Sequence, residues 1–110
     1  MSTPRPTEPM PAWERELLSG MTRREEILNN AVALITGHRQ ADYGDPVDNC
    51  RTIAALWTVT LGVPVAPWQV ALCMGQLKTV RILNDPQHAD SWADALGWTA
   101  IGAEAAAVEA

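Results

Sequence analysis

Phenylalanine is absent from this chain of 110 residues, lysine and tyrosine occur once each, and cysteine and histidine twice each. So few cysteines exclude a disulfide scaffold. Cys50 and Cys73 fall among apolar neighbours such as Ile53, Leu72 and Met74, and read as reduced thiols in a core. No Cys/His spacing suits a structural zinc site. Neither GxxxxGK[ST] nor GxGxxG occurs, which removes the two commonest phosphate-cradling loops. No apolar run approaches the roughly 18 residues of a membrane span, and no basic-then-apolar leader opens the chain. The protein is therefore expected in the cytoplasm, away from membranes. Basic residues are outnumbered 8 to 13, for a formal charge of −5, which argues against a nucleic-acid partner. Apolar and polar residues nowhere alternate at period two over a useful length, so strands are not expected.

Hydrophobic residues make up 47% of the sequence, enough for the core of one domain. Residues 1–11 carry four of the eight prolines and read as a disordered arm, leaving a single domain over 12–110. A short helix is predicted over Pro11–Leu18. The first secure helix begins with the capping box Thr22-Arg-Arg-Glu25, carries the stripe Ile27, Ala31, Leu34 and Ile35, and stops at Gly37. A polar loop follows over 38–45. Asp45-Pro46 starts a second helix, which Gly62 ends. A third runs from Pro67 to about Leu83 and breaks at Asn84-Asp85-Pro86. A fourth runs from about Asp90 towards Val108. The expectation is an all-α fold, a four-helix antiparallel bundle. The five tryptophans take the place of phenylalanine as core aromatics, and His88 reads as a surface residue before a helix. The last helix is rich in alanine and contains Gly97 and Gly102. Interior glycines cost about 1 kcal/mol each relative to alanine. Close approach of another helix explains them, either within the chain or from a second subunit, and a homo-oligomer is expected.

The third helix gives the sharpest argument. At 100° per residue, Gln69, Gln76 and Thr79 share the side expected to face water. Arg81 falls on the line of Val70, Met74 and Leu77, and Lys78 at its margin. An unpaired buried cation costs several kcal/mol, so an anion should face this side. The last helix offers Asp90 and Asp94, spaced i, i+4. An antiparallel pairing of the two helices would gather Lys78, Arg81, Asp90 and Asp94 at one end of the bundle. The 38–45 loop, with Arg39, Asp42, Tyr43 and Asp45, would close over them. Plainer roles exist for each residue: a cap for Asp90 and Asp45, a helix-dipole partner in Asp94, a structural ion pair of Arg81 with Asp94, a Lys78 stem lying along the core with its amine in water, and a turn at Tyr43-Gly44. The alternative is a polar cleft in which carboxylates hold Mg²⁺ and cations hold phosphate oxygens.

Three motifs in order, Asp42-Tyr43-Gly44, Leu77-Lys78-x-x-Arg81-Ile82 and Asp90-Ser-Trp-Ala-Asp94-x-x-Gly-Trp98, resemble a group of small phage and prophage helical proteins. That group is related to phage nucleotide-modification-associated domains, and the resemblance covers residues 37–104. More distantly, the last helix is similar to that of the MazG-like all-α nucleoside triphosphate pyrophosphatases, which bind Mg²⁺ through E-x-x-E and E-x-x-D helices and form oligomers. This chain has no E-x-x-E in its third helix, Gln69 stands where the phage group suggests an acid, and Ser91 stands at the glutamate of E-x-x-D. Two carboxylates remain.

The resemblance implies a phage nucleotide-handling protein. In its hydrolytic form, Asp90 and Asp94 would hold Mg²⁺ and act in catalysis. Lys78, Arg81, Arg39, Asp42, Tyr43 and Trp98 would bind the nucleotide. In a second form the protein binds or sequesters a nucleotide-derived signal of host defence without chemistry. In a third, the charges are a structural salt-bridge network of an interaction protein.

Overall fold

The computed structural model describes residues 20–37 and 43–109, together with Pro11 and Trp13. The proline-rich arm and the helix predicted over Pro11–Leu18 fall outside the described residues, Pro11 and Trp13 excepted. Four helices account for the described fold: α1 (Arg23–Ile35), α2 (Pro46–Leu61), α3 (Pro67–Asn84) and α4 (Ala89–Glu109). The fold is all-α.

Local chemistry sets the ends. The Thr22 hydroxyl accepts from the Glu25 amide at 3.3 Å to start α1. The Asp45 carboxylate accepts from the Asp48 amide at 3.2 Å to start α2, with Pro46 in the first turn. Gly62 closes α2 in the left-handed conformation, at φ +73°. The Thr58 hydroxyl donates to the Ala54 carbonyl and accepts from the Val65 amide at 2.9 Å, which pins the turn into α3. Gln69 accepts from the Ala66 amide at 2.8 Å and so works as a cap in the first turn of α3. At α4 the cap expected of Asp90 is supplied by His88, because the helix starts at Ala89. His88 Nδ1 accepts from the Ser91 amide at 3.3 Å and lies 2.7 Å from Ser91 Oγ. Asp90 sits in the first turn, where a negative charge suits the helix dipole.

The hairpin α3–α4 is the spine of the molecule. Gly102 approaches Ala71, Gly75 approaches Trp98, and Lys78 meets Asp94, so α4 descends as α3 ascends. The interior glycines of α4 serve this packing. A Cβ on Gly102 would come within 3.2 Å of Ala71 Cβ, and one on Gly97 within 2.9 Å of Ile35 Cγ2. α1 packs on α4, but it runs in the same direction. Its start, Thr22–Leu28, lies with Pro86–Trp92, and its end, Leu34 and Ile35, reaches Asp94–Ile101. α2 begins where α1 stops. Its first residues meet Trp98 and Ile101, and its core face joins Val70, Ala71, Ile101 and Ala105. Strict up-and-down alternation therefore gives way to α1 and α2 following one another along the hairpin.

Two clusters form the core. Ile27, Ala31 and Ala93 seal α1 on α4, and the larger cluster around Val47, Cys50, Ala54, Val70 and Ile101 joins α2, α3 and α4. Three side-chain expectations need correction. Cys50 is fully buried, but Cys73 is exposed. Trp57 and Trp98 pack against the core, whereas Trp13, Trp68 and Trp92 are exposed. The inward stripe of α3 runs through buried Val70 and Ala71 and half-buried Met74, Gly75, Lys78 and Ile82, so Lys78 belongs to it, and Arg81 and Leu77 are exposed. No helix among the described residues is long and apolar enough to cross a membrane.

Candidate functional site

The succession of α1 and α2 leaves a gap over the middle of α4, and a pocket of about 230 Å³ opens there. Leu34 and Ile35 close it from the end of α1. Tyr43, Gly44, Pro46 and Asn49 close it from the entry to α2. Asp94, Gly97, Trp98 and Ile101 form the α4 wall. Each helix contributes for a local reason. Gly97 lacks the side chain that would fill the gap and collide with Ile35. Asn49, in the second turn of α2, donates from Nδ2 to the Tyr43 carbonyl at 2.7 Å, which fixes the backbone at the rim. Tyr43 is 72% exposed and stands at the mouth.

Asp94 is the only charged side chain among the described lining residues. Its Oδ2 pairs with Lys78 Nζ at 3.1 Å, and the two side chains are 17% and 19% exposed. The lone lysine thus reaches across the α3–α4 seam and holds the acid from behind. Lys78 itself does not line the pocket. A carboxylate held by an ammonium in a partly dry setting is a fixed acceptor, because the charge pair resists rotation of the side chain.

The structure brings together Lys78, Asp94, Trp98 and Tyr43. It leaves Arg81 and Asp90 exposed, without an ion pair among the described residues and off the pocket wall. Arg39 and Asp42 lie outside the described residues. Asp45 caps α2 beside the pocket. Among the described residues, no three His, Cys, Asp or Glu side chains converge to hold a metal. Asn49, Leu34, Ile35 and Pro46 were not anticipated as lining residues. Gly97 carried a signal, as a glycine inside a helix, whereas Asn49 carried none. Its role depends on where the chain at Tyr43 passes.

A second, shallower groove joins the starts of α1 and α4, with Ile27, Leu28, Trp92 and Leu96 as its floor and Arg23 and Arg24 beside them. Arg23 pairs with Glu26 at 3.2 Å.

Residues 26–106 match the family model described as a domain of unknown function, DUF6378. The chain is similar to the Gene 55 protein of Mycobacterium phage L5, at 37% identity over 76 residues, which are 68% of this chain and 49% of that protein. It is likewise similar to the Gene 55 protein of Mycobacterium phage D29, at 35% identity over 74 residues, 67% of this chain and 49% of the relative. The chain thus spans about half the length of these curated relatives. No solved structure matches it.

Proposed function

The chain belongs to the DUF6378 family, whose function is unassigned, and we propose that in it the pocket over α4 binds a nucleotide-derived ligand without hydrolysing it. The observation that carries this reading is Asp94, the one acid among the described lining residues, which pairs with Lys78 at 3.1 Å. An ammonium beside the carboxylate opposes a divalent cation there, because like charges a few ångströms apart in a partly dry site repel strongly. Mg²⁺ sites in phosphoryl chemistry rely on one or two carboxylates together with substrate phosphates. Asp90, the other acid, is exposed and off the wall. Trp98 and Tyr43 offer aromatic surface, which suits a base. The resemblance of the three motifs to small phage proteins related to nucleotide-modification-associated domains, and more distantly of the last helix to MazG-like pyrophosphatases, supports a nucleotide as the ligand. The phage origin of the relatives fits a protein that captures a nucleotide signal during infection.

The test is a thermal-shift and titration series with nucleotides and cyclic nucleotides, with and without Mg²⁺. Ligand at one hundred times its Kd stabilises a fold by about 2.7 kcal/mol, a rise of roughly 10 °C or more for a domain of this size. We expect stabilisation that ignores Mg²⁺, with the nucleotide recovered intact after denaturation. Release of pyrophosphate that needs Mg²⁺ and disappears in Asp94→Ala would replace this reading with the hydrolytic one. No shift with any nucleotide at millimolar concentration would leave the charges a structural role only.

A further inference from the structure

Among the polar side chains that line the pocket, Asn49 combines spare hydrogen-bonding capacity with a fixed direction. Asp94 is engaged by Lys78 at 3.1 Å and has a further interaction besides. Lys78 stands behind the wall, and most of the remaining lining is apolar or aromatic. Asn49 donates from Nδ2 to the Tyr43 carbonyl at 2.7 Å. That bond sets which way the amide lies, because the reverse arrangement would bring Oδ1 against the carbonyl, acceptor to acceptor. The side chain makes no other hydrogen bond among the described residues. The amide oxygen, with its two lone pairs, and the second Nδ2 hydrogen therefore stay open at the pocket rim. Gly44 keeps the approach clear. A Cβ there would stand 3.9 Å from Asn49 Oδ1, in the space beside it. The φ of +81° at Gly44 favours glycine on backbone grounds as well. Exposed asparagines with open hydrogen-bonding groups are common. This one is held in place and shares its cavity with two aromatic rings, Tyr43 and Trp98.

We infer that Asn49 selects the base of the ligand, and that the base is adenine. Asn49 Oδ1 accepts from the exocyclic amino group, and the free Nδ2 hydrogen serves the neighbouring ring nitrogen. An amide is the usual complement of that donor–acceptor edge. Tyr43 and Trp98 supply surface for the face of the ring. Guanine offers only acceptors on the corresponding edge, uracil has no amino group, and cytosine has one but a smaller ring to stack. This rests on the nucleotide-binding reading above and adds to it which base is recognised and by which residue.

The test is calorimetric titration of the full chain with the 5′-monophosphates of adenosine, guanosine, cytidine and uridine, and of purine riboside, which is adenosine without its amino group. Adenosine monophosphate should bind tightest. It should exceed its amino-free counterpart about tenfold, the lower part of the range for an amide–adenine pair, because this pair lies at a wet rim. Asn49→Ala should weaken adenosine monophosphate about tenfold and leave the amino-free nucleotide nearly unchanged, since the bond that nucleotide lacks is the one the variant removes. Asn49 is exposed, so the variant should keep its helical signal. An Asn49→Ala chain that weakens both nucleotides equally would show that the residue only holds the rim at Tyr43, and would overturn the assignment. Equal affinity of the native chain for the two nucleotides would overturn it too, as would tighter binding of a guanosine, cytidine or uridine nucleotide. Each of these results leaves nucleotide binding standing. Failure of every nucleotide with the native chain would remove both.

Discussion

Lys78 and Asp94 are each about one-fifth exposed and 3.1 Å apart. Removing either leaves a partly buried charge without its main partner, which costs more than breaking a surface pair and less than the 3–5 kcal/mol of a fully buried one. Lys78→Ala and Asp94→Ala should each destabilise by about 1–3 kcal/mol in urea unfolding, and the double variant by clearly less than their sum. Strict additivity would show that the pair is not coupled. Arg81→Ala, at an exposed site, should fall within about 0.5 kcal/mol of the native chain. The contrast shows what the sequence could tell. Cations beside an apolar line pointed to an anionic partner on the last helix, but the sequence offered Asp90 and Asp94 alike, and the ion pair read from it was Arg81 with Asp94, where the structure has Lys78 with Asp94. The choice between Lys78 and Arg81 was not legible. It depends on α2 covering only the first half of α3, so that the line through Val70 and Met74 runs out into solvent before Leu77 and Arg81. The thiols divide in the same way. Burial, and then the nearby Asp45 charge, push the Cys50 thiol above its ordinary 9.0. The folded chain therefore holds that proton more tightly than the unfolded chain does. Stability should fall as pH rises through 9.0 and beyond, and Cys50→Ala should flatten the fall. In dilute native protein a thiol reagent should label Cys73 alone.

At the scale of helices, Gly97 sets how closely α1 can approach α4. Gly97→Ala gains up to about 1 kcal/mol in helix propensity but drives a methyl to 2.9 Å from Ile35 Cγ2. That atom moves only by turning Ile35 about χ1, which a β-branched side chain in a helix resists, and overpacking of this kind costs about 1–3 kcal/mol. A net loss of about 1 kcal/mol is expected, largely recovered by adding Ile35→Leu, which removes the branch. Gly75→Ala is the control. Its nearest neighbour would be Trp98 Cβ at 3.9 Å, an ordinary contact. It should raise stability by about 0.5–1 kcal/mol. A destabilised Gly75→Ala or a neutral Gly97→Ala would contradict this account of the packing. Helix positions were readable because caps are local: Thr22, Asp45, Pro46, Gly62 and Pro67 act within a turn of their own place. Relative direction was not readable. Whether α2 turns back beside α1 or carries on beyond it depends on a connection whose polar sequence fits either path, and the pocket exists only in the second case.

Among the described residues, large apolar side chains are exposed along the outer face of α3 and at the end of α2. Cys73, Leu77 and Val80 follow one another at i, i+4, i+7 along the outer face of α3, and Val59 and Leu83 are 84% and 76% exposed. Single exposed apolar residues need no explanation, but a continuous strip does. The small residues of α4 made an oligomer plausible from sequence alone. Gly97 and Gly102 prove to be taken up by Ile35 and Ala71 of the same chain, so the case moves from α4 to the strip on α3. A helix face repeated on an identical chain can bury itself about a two-fold axis, with each strip supplying the partner for the other. A second copy is therefore the expected cover. Light scattering at tens of micromolar should give twice the 11.9 kDa of the chain. Val80→Glu should give the single mass with its helical signal intact. The strip does not line the pocket, so this variant should keep its ligand affinity. Cys73 sits on the strip, and its labelling by a thiol reagent should slow as protein concentration rises. A native chain that stays at 11.9 kDa as its concentration is raised, with Cys73 labelled equally fast throughout, would leave the strip without a second copy to cover it.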